Sequence, residues 1–136
     1  MARPNNTRRP ATAADIRVTA KLDGPFAPHP VVTLSLVNGR QVDVVARVAC
    51  HLDGSSPELL GGEDLRARDG EAHPASLARM LELARPRIAD AVRAAVAATC
   101  DATDRKAAEE RADGDEDRAA KLEGRAAYLR QAAGLA

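Results

Sequence analysis

The residues able to ligate a metal ion are scattered along the chain: His29, Cys50, His51, His73 and Cys100. A local metal site needs a short spacing such as Cys-x2-Cys or His-x3-His, and no such spacing occurs. Cys50 and His51 are adjacent at the end of a predicted strand, where neighbouring side chains point to opposite faces. We therefore expect a buried thiol beside an exposed imidazole, and neither a metal ion nor another cofactor.

A catalytic serine set can be assembled from Ser55 or Ser56 with His73 and Asp64. No Gly-x-Ser-x-Gly turn surrounds either serine. Ser56 stands before a proline, which is typical of a helix N-cap followed by proline at the first helical position. This set does not predict an enzyme.

Two further segments have the composition of a ligand site but not the spacing. Gly61-Gly62-Glu63 lacks the Lys-Ser/Thr that follows the glycines of a phosphate-binding loop. The acidic run from Asp113 to Asp117 lacks the ligand positions of a calcium loop. We expect a solvated helix junction there, and no catalytic activity in the chain.

The first 21 residues are basic, although the whole chain carries 20 basic and 20 acidic residues. Against one acidic residue, Asp15, this segment carries Arg3, Arg8, Arg9, Arg17 and Lys21. Its four arginines are the candidate contacts to an anionic partner, either nucleic acid phosphates or an acidic protein surface. Residues 1–14 have no apolar periodicity and are predicted to form a flexible arm. The arm has no aromatic residues for base stacking.

The composition predicts one small domain with a thin core. Of the 136 residues, 30 are Ala and only 26 are Leu, Ile, Val or Phe; there is one Phe, one Tyr and no Trp. Arg outnumbers Lys 17 to 3, which together with the alanine content indicates a high-GC bacterium or its phage. No apolar run approaches the ~20 residues of a membrane span, and no signal-peptide core follows the first arginines, so we expect a cytoplasmic protein with reduced cysteines.

Residues 15–50 predict a three-stranded antiparallel β-meander. Apolar and polar residues alternate over 16–22, 31–37 and 41–48, and a Pro-rich loop separates the first two segments. A three-residue loop, Val37-Asn38-Gly39, would place one apolar row on a common buried face: Val32, Leu34, Val42 and Val44.

The rest of the chain predicts a long loop and two helices. Residues 51–75 are rich in Gly, Asp, Ser and Pro, with one helical turn at 56–60. Residues 76–134 have helical periodicity, with a kink or break at Pro86 and a junction at Gly114 that Asp115 can cap. The last helix has a narrow apolar seam for packing against the long helix or against a second copy, formed by Leu122, Ala126 and Leu129.

The sequence therefore predicts an α+β domain over 15–136: the meander, a long kinked helix and a C-terminal helix. A small aliphatic core and two exposed sheet edges favour a homo-oligomer. The function expected is that of a small non-catalytic protein-binding or assembly protein, such as a phage or mobile-element accessory protein. The alternative is a DNA-associated accessory factor that uses the basic arm. The identity of the partner is not encoded in any motif.

Overall fold

The computed structural model describes residues 9–38, 40–62, 72–73 and 77–135. In chain order the elements are β1 (Arg9–Pro10), a 3-10 turn (Ala13–Asp15), β2 (Ile16–Lys21), β3 (Val31–Asn38), β4 (Gln41–Ala49), β5 (Glu58–Gly62), β6 (Ala72–His73), α1 (Leu77–Ala112) and α2 (Glu116–Ala132). The predicted α+β class is confirmed. No helix in the described part of the chain is long and apolar enough to cross a membrane.

The main sheet has four antiparallel strands in the order β2-β3-β4-β5, not the three predicted. The fourth strand, β5, lies where the sequence predicted a helical turn in a loop, and Leu59 pairs there with Val48. Ser56 does not cap a helix, since it has a φ of 52°. The N–H of His51 donates to the carbonyl of Ser55 at 2.9 Å, so the chain reverses and β5 is laid along β4. Sheet pairing therefore overrides the local capping preference.

The β3–β4 hairpin has a different register from the predicted one. Leu34 lies opposite Ala46 rather than Val42, and Asn38 lies opposite Gln41 in place of the predicted three-residue loop. The register shifts by one residue directly after Leu34, which marks a β-bulge. Periodicity alone does not reveal an extra residue inside a strand, so the prediction assumed two unbroken strands.

The bulge changes which residues reach the core. Val32 and Leu34 are fully buried, as predicted. Val42 and Val44 are 38% and 44% exposed, because one extra residue turns the alternating side chains of β4 to the other face. The predicted loop residue Gly39 lies outside the described residues.

The helix α1 provides the second layer and packs against β2 and β3. Its fully buried residues recur at every fourth position: Met80, Ala84, Ile88, Val92, Val96 and Cys100. Four residues correspond to slightly more than one helical turn, so this stripe winds slowly around α1. The first part of α1 can therefore face the sheet while its last part faces α2.

Pro86 does not divide α1, which is continuous over 36 residues. Pro86 and Glu82, the residue whose carbonyl it leaves unpaired, are both exposed. Water can satisfy that carbonyl, so the helix continues through the proline. A kink at this position stays a prediction.

Within residues 9–14 of the predicted arm, the structure shows contacts with the rest of the chain. β1 pairs in parallel with β6, and Ala11 is buried. One Nη atom of Arg87 on α1 donates to the carbonyl of Ala13 at 2.7 Å. Residues 1–8 of the predicted arm lie outside the described residues, and their flexibility stays a prediction.

Candidate functional site

Of the predicted basic contacts, the structure describes only part. Arg3 and Arg8 lie outside the described residues. Arg9 belongs to β1, and Arg17 is exposed on β2 at one edge of the sheet. Anion binding by these four residues therefore stays a prediction.

The predicted seam of α2 lies inside the molecule. Leu122 is 5% exposed, while Ala126 and Leu129 are fully buried. The thiol of Cys100 on α1 donates to the carbonyl of Ala126 at 3.5 Å, so the small alanine allows the two helices to approach closely. The seam therefore serves an intramolecular contact between α1 and α2.

The junction between the helices is capped and bordered by charges. Asp115 accepts from the N–H of Arg118 at 3.0 Å, which confirms it as the cap of α2. Ion pairs join the two helices along the seam: Arg111 with Glu116 and Glu123, Arg118 with Glu110, and Arg130 with Asp101 and Asp104. These pairs border the buried seam, and each exposed pair contributes little to stability.

The outer face of α2 carries a surface that we call the aromatic patch, formed by Phe26, Lys121, Arg125 and Tyr128. The chain has one Phe and one Tyr, and both are exposed, at 55% and 54%. The Arg125 guanidinium lies over both rings, 5.6 Å from the centroid of Phe26 and 4.9 Å from that of Tyr128. Lys121 approaches the Phe26 ring at 5.5 Å.

Two elements position this patch. Lys121, Arg125 and Tyr128 are spaced by four and three residues, which places them on one face of α2. Phe26 comes from the loop between β2 and β3, where the N–H of Ala27 donates to the carbonyl of Gly24 at 3.3 Å. Arg125 joins the two elements, because its Nε donates to the carbonyl of Pro25.

A cleft of about 400 Å³ adjoins the aromatic patch. It lies between the β2–β3 loop and the two helices, and its lining residues are Gly24, Pro25, Phe26, Thr99, Ala102, Thr103, Lys106, Arg118 and Leu122. The small exposed part of Leu122, a seam residue, thus forms part of the cleft wall. The hydroxyls of Thr99 and Thr103 donate to the carbonyls of Leu22 and Thr99, at 3.2 and 2.7 Å.

The charges around the cleft are unevenly compensated. Lys106 and Arg118 share Glu110, at 3.4 and 3.5 Å. Among the described residues, Lys121 and Arg125 have no carboxylate within ion-pair distance. Of these four cations, the two nearest the aromatic rings therefore have no acidic partner in the described ranges.

The polar turn after β4 brings together His51, Asp53 and Ser55. The Ser55 hydroxyl donates to Asp53 Oδ1 at 2.6 Å and lies 3.4 Å from His51 Nδ1. The Ser55 hydroxyl and N–H both lower the pKa of Asp53. In a nucleophilic site the carboxylate orients the histidine and the histidine receives the serine proton. Here the carboxylate holds the serine instead, as in an ordinary Asx turn.

The structure describes the predicted serine set only in part. Ser56 lies in the turn before β5, Asp64 lies outside the described residues, and His73 is in β6. Within the described ranges, no group of three or more His, Cys, Asp and Glu could hold a metal ion. Cys50 and Cys100 are free and buried, and burial raises the pKa of both thiols.

Sequence reasoning missed the aromatic patch, for which one local signal was present. That signal is the helical spacing of Lys121, Arg125 and Tyr128, which is as regular as that of the seam. The composition pointed the other way, since a chain with two aromatic residues in all would be expected to bury both. The position of Phe26 has no such signal, because it lies about 100 residues away in a loop.

No protein-family model matches the chain, and no match was found among the curated proteins or the solved structures.

Proposed function

We propose that the protein is a small non-catalytic binding protein and that a partner protein docks on the aromatic patch. The observation that supports the proposal is the exposure of both aromatic rings of the chain around one arginine. Tyr, Phe and Arg are enriched at the centres of protein interfaces, where a few such residues carry most of the binding energy.

The aromatic patch contributes less to stability than full burial of its two rings would. A buried aromatic ring removes 150–250 Å² from water, the largest contribution that any side chain can make to a core. This core is made of Val, Leu, Ile, Met, Cys and Ala, while the two rings stay about half exposed. Leaving them outside gives up core stability, and contact with a partner would recover that burial.

A second candidate function is binding of single-stranded nucleic acid. Exposed aromatic rings beside cations can stack bases and contact phosphates. Lys121 and Arg125 beside the two rings favour this function. It extends the predicted role of the basic arm, but it places the contact on α2.

The test is selection of binders from a displayed library of random 12-residue peptides on the immobilised chain. The affinity of each enriched peptide is then measured for three proteins: the wild type, the Phe26→Ser/Tyr128→Ser variant and a control variant, Val44→Ser. Val44 is exposed at 44%, so it matches the two rings in exposure but lies outside the aromatic patch.

We expect the Phe26→Ser/Tyr128→Ser variant to weaken binding at least about tenfold, which corresponds to about 1.4 kcal/mol, while Val44→Ser leaves it unchanged. Failure to enrich any peptide, or equal affinity for all three proteins, contradicts the proposal. A labelled 20-nucleotide oligo(dT) tests the second candidate. Patch-dependent binding of oligo(dT) that falls steeply between 50 and 200 mM salt would favour nucleic acid.

A further inference from the structure

We infer that the partner segment is an acidic peptide with one large apolar side chain, whose carboxylates pair with Lys121 and Arg125 while the apolar side chain fills the adjoining cleft. This inference rests on the proposed function and specifies the chemistry of the partner.

Charge complementarity is the first argument for an acidic segment. Lys121 and Arg125 lie one helical turn apart on α2, and no carboxylate of the described residues lies within ion-pair distance of either. Arg125 uses Nε for the carbonyl of Pro25, and no hydrogen bond to the described residues uses its two Nη atoms. The guanidinium is thus fixed through Nε, while its two Nη atoms have the geometry to bind a carboxylate.

The cleft supplies the argument for the apolar side chain. Its volume of about 400 Å³ is at the lower end for ligand pockets and admits one large side chain. Pro25, Phe26, Ala102 and Leu122 give it apolar walls. The hydroxyl protons of its two threonines are already donated to backbone carbonyls, so they are not available to a polar ligand.

The charges at the far side of the cleft favour a peptide over a nucleic acid. Glu110 lies within 3.5 Å of both Lys106 and Arg118, so it cancels part of their attraction for phosphates. Two cations without an acidic partner in the described part of the chain are too few for a strand that is held mainly by successive phosphate contacts. They suffice for a short segment that carries two or three carboxylates.

The experiment uses the peptides selected as described under Proposed function, with sequence composition as its first readout. We expect the patch-dependent peptides to be enriched in Asp and Glu and to share one Leu, Ile, Met or Phe. A synthetic representative is then measured with its acidic residues changed to Asn and Gln, and separately with its apolar residue changed to Ser.

Protein variants separate the two halves of the inference. Lys121→Glu/Arg125→Glu should weaken the acidic peptide at least tenfold and reverse the sign of its salt dependence, because added salt then screens a repulsion. Ala102→Phe fills the cleft from an exposed position on α1 and should weaken the peptide similarly, without changing its salt dependence. Ala108→Phe, also exposed on α1 but not a lining residue of the cleft, is the matched control and should bind as the wild type does. Circular dichroism checks that all variants fold.

The outcomes distinguish the inference from the proposed function. Patch-dependent peptides that are neutral or basic, or that tolerate Ala102→Phe, overturn the inference and leave the proposed function standing. Peptides that bind equally well without the two rings overturn both. Oligo(dT) that displaces the acidic peptide and binds more tightly than it does overturns both in favour of nucleic acid.

Discussion

The two faces of α2 use opposite kinds of side chain. The inner face, which meets α1, is built from Ala and Leu and is almost entirely buried. The outer face carries Lys121 and Tyr128, which are exposed, and Arg125, which is half-buried against the β2–β3 loop. The inner face holds the helix in place by close approach, whereas the outer face gives up ring burial that the thin core could have used. Stability and binding are therefore separated on one helix.

The same charge should have very different costs on the two faces of α2. Leu129→Asp buries a carboxylate at a fully buried site, so we expect a loss of about 3 kcal/mol or more in the free energy of unfolding. Tyr128→Asp, one residue away but 54% exposed, should change it by no more than about 0.5 kcal/mol. Urea denaturation followed by circular dichroism measures both. Equal losses would mean that the faces are not distinct.

The same contrast of inner and outer faces applies to the β3–β4 hairpin. Leu34→Ala should lower the free energy of unfolding by about 2–5 kcal/mol, because Leu34 of β3 is fully buried in the core. Val44→Ala should cost less than about 1 kcal/mol, since Val44 lies beyond the bulge and is exposed. If Val44→Ala costs as much as Leu34→Ala, the unbulged register predicted from the sequence is the better description.

Helical features were predictable because their determinants are close in sequence. The seam of Leu122, Ala126 and Leu129 follows from a spacing of three and four residues, and the structure places all three residues between α2 and α1. The cap at Asp115 follows from its position after Gly114, which adopts a φ of 90°. Neither feature requires knowledge of the rest of the fold.

Sheet and site features were less predictable because they depend on distant residues. The bulge after Leu34 and the pairing of Leu59 with Val48 are fixed by how strands meet, and the local sequence favoured a loop and a helical turn instead. The aromatic patch is similar: α2 contributes a regular face, but Phe26 joins it only through the loop that Arg125 contacts. Tertiary contacts therefore determine both the strand pairing and the aromatic patch.

A smaller effect is expected where backbone approaches backbone. Gly54 has a φ of 83°, and a Cβ there would lie 2.5 Å from Ala89 Cα on α1. Gly54→Ala should therefore cost about 1–3 kcal/mol more than Gly24→Ala, which carries only the strain of a φ of 89° in open space. Thermal unfolding of the two variants measures the difference. Equal melting temperatures would show that the turn before β5 does not pack closely on α1.

The smallest effect concerns the exposed turn that contains Asp53. The Ser55 hydroxyl and N–H stabilise the charged carboxylate, so the pKa of Asp53 lies below its ordinary value of 3.8. Because the pKa is lowered by folding, the stabilisation is complete at neutral pH and is lost as the pH falls below 3.8 through the pKa of the folded state. Asp53→Asn should therefore lower the melting temperature slightly at pH 7 and not at all at the acidic end.

An NMR titration of Asp53 gives the sharper readout. Ser55→Ala removes the hydroxyl hydrogen bond, which is the largest cause of the lowered pKa, and should move the pKa of Asp53 back towards 3.8. An Asp53 pKa that is the same in wild type and Ser55→Ala would show that the Ser55 hydroxyl does not donate to Asp53. The hydroxyl would then be available to interact with His51.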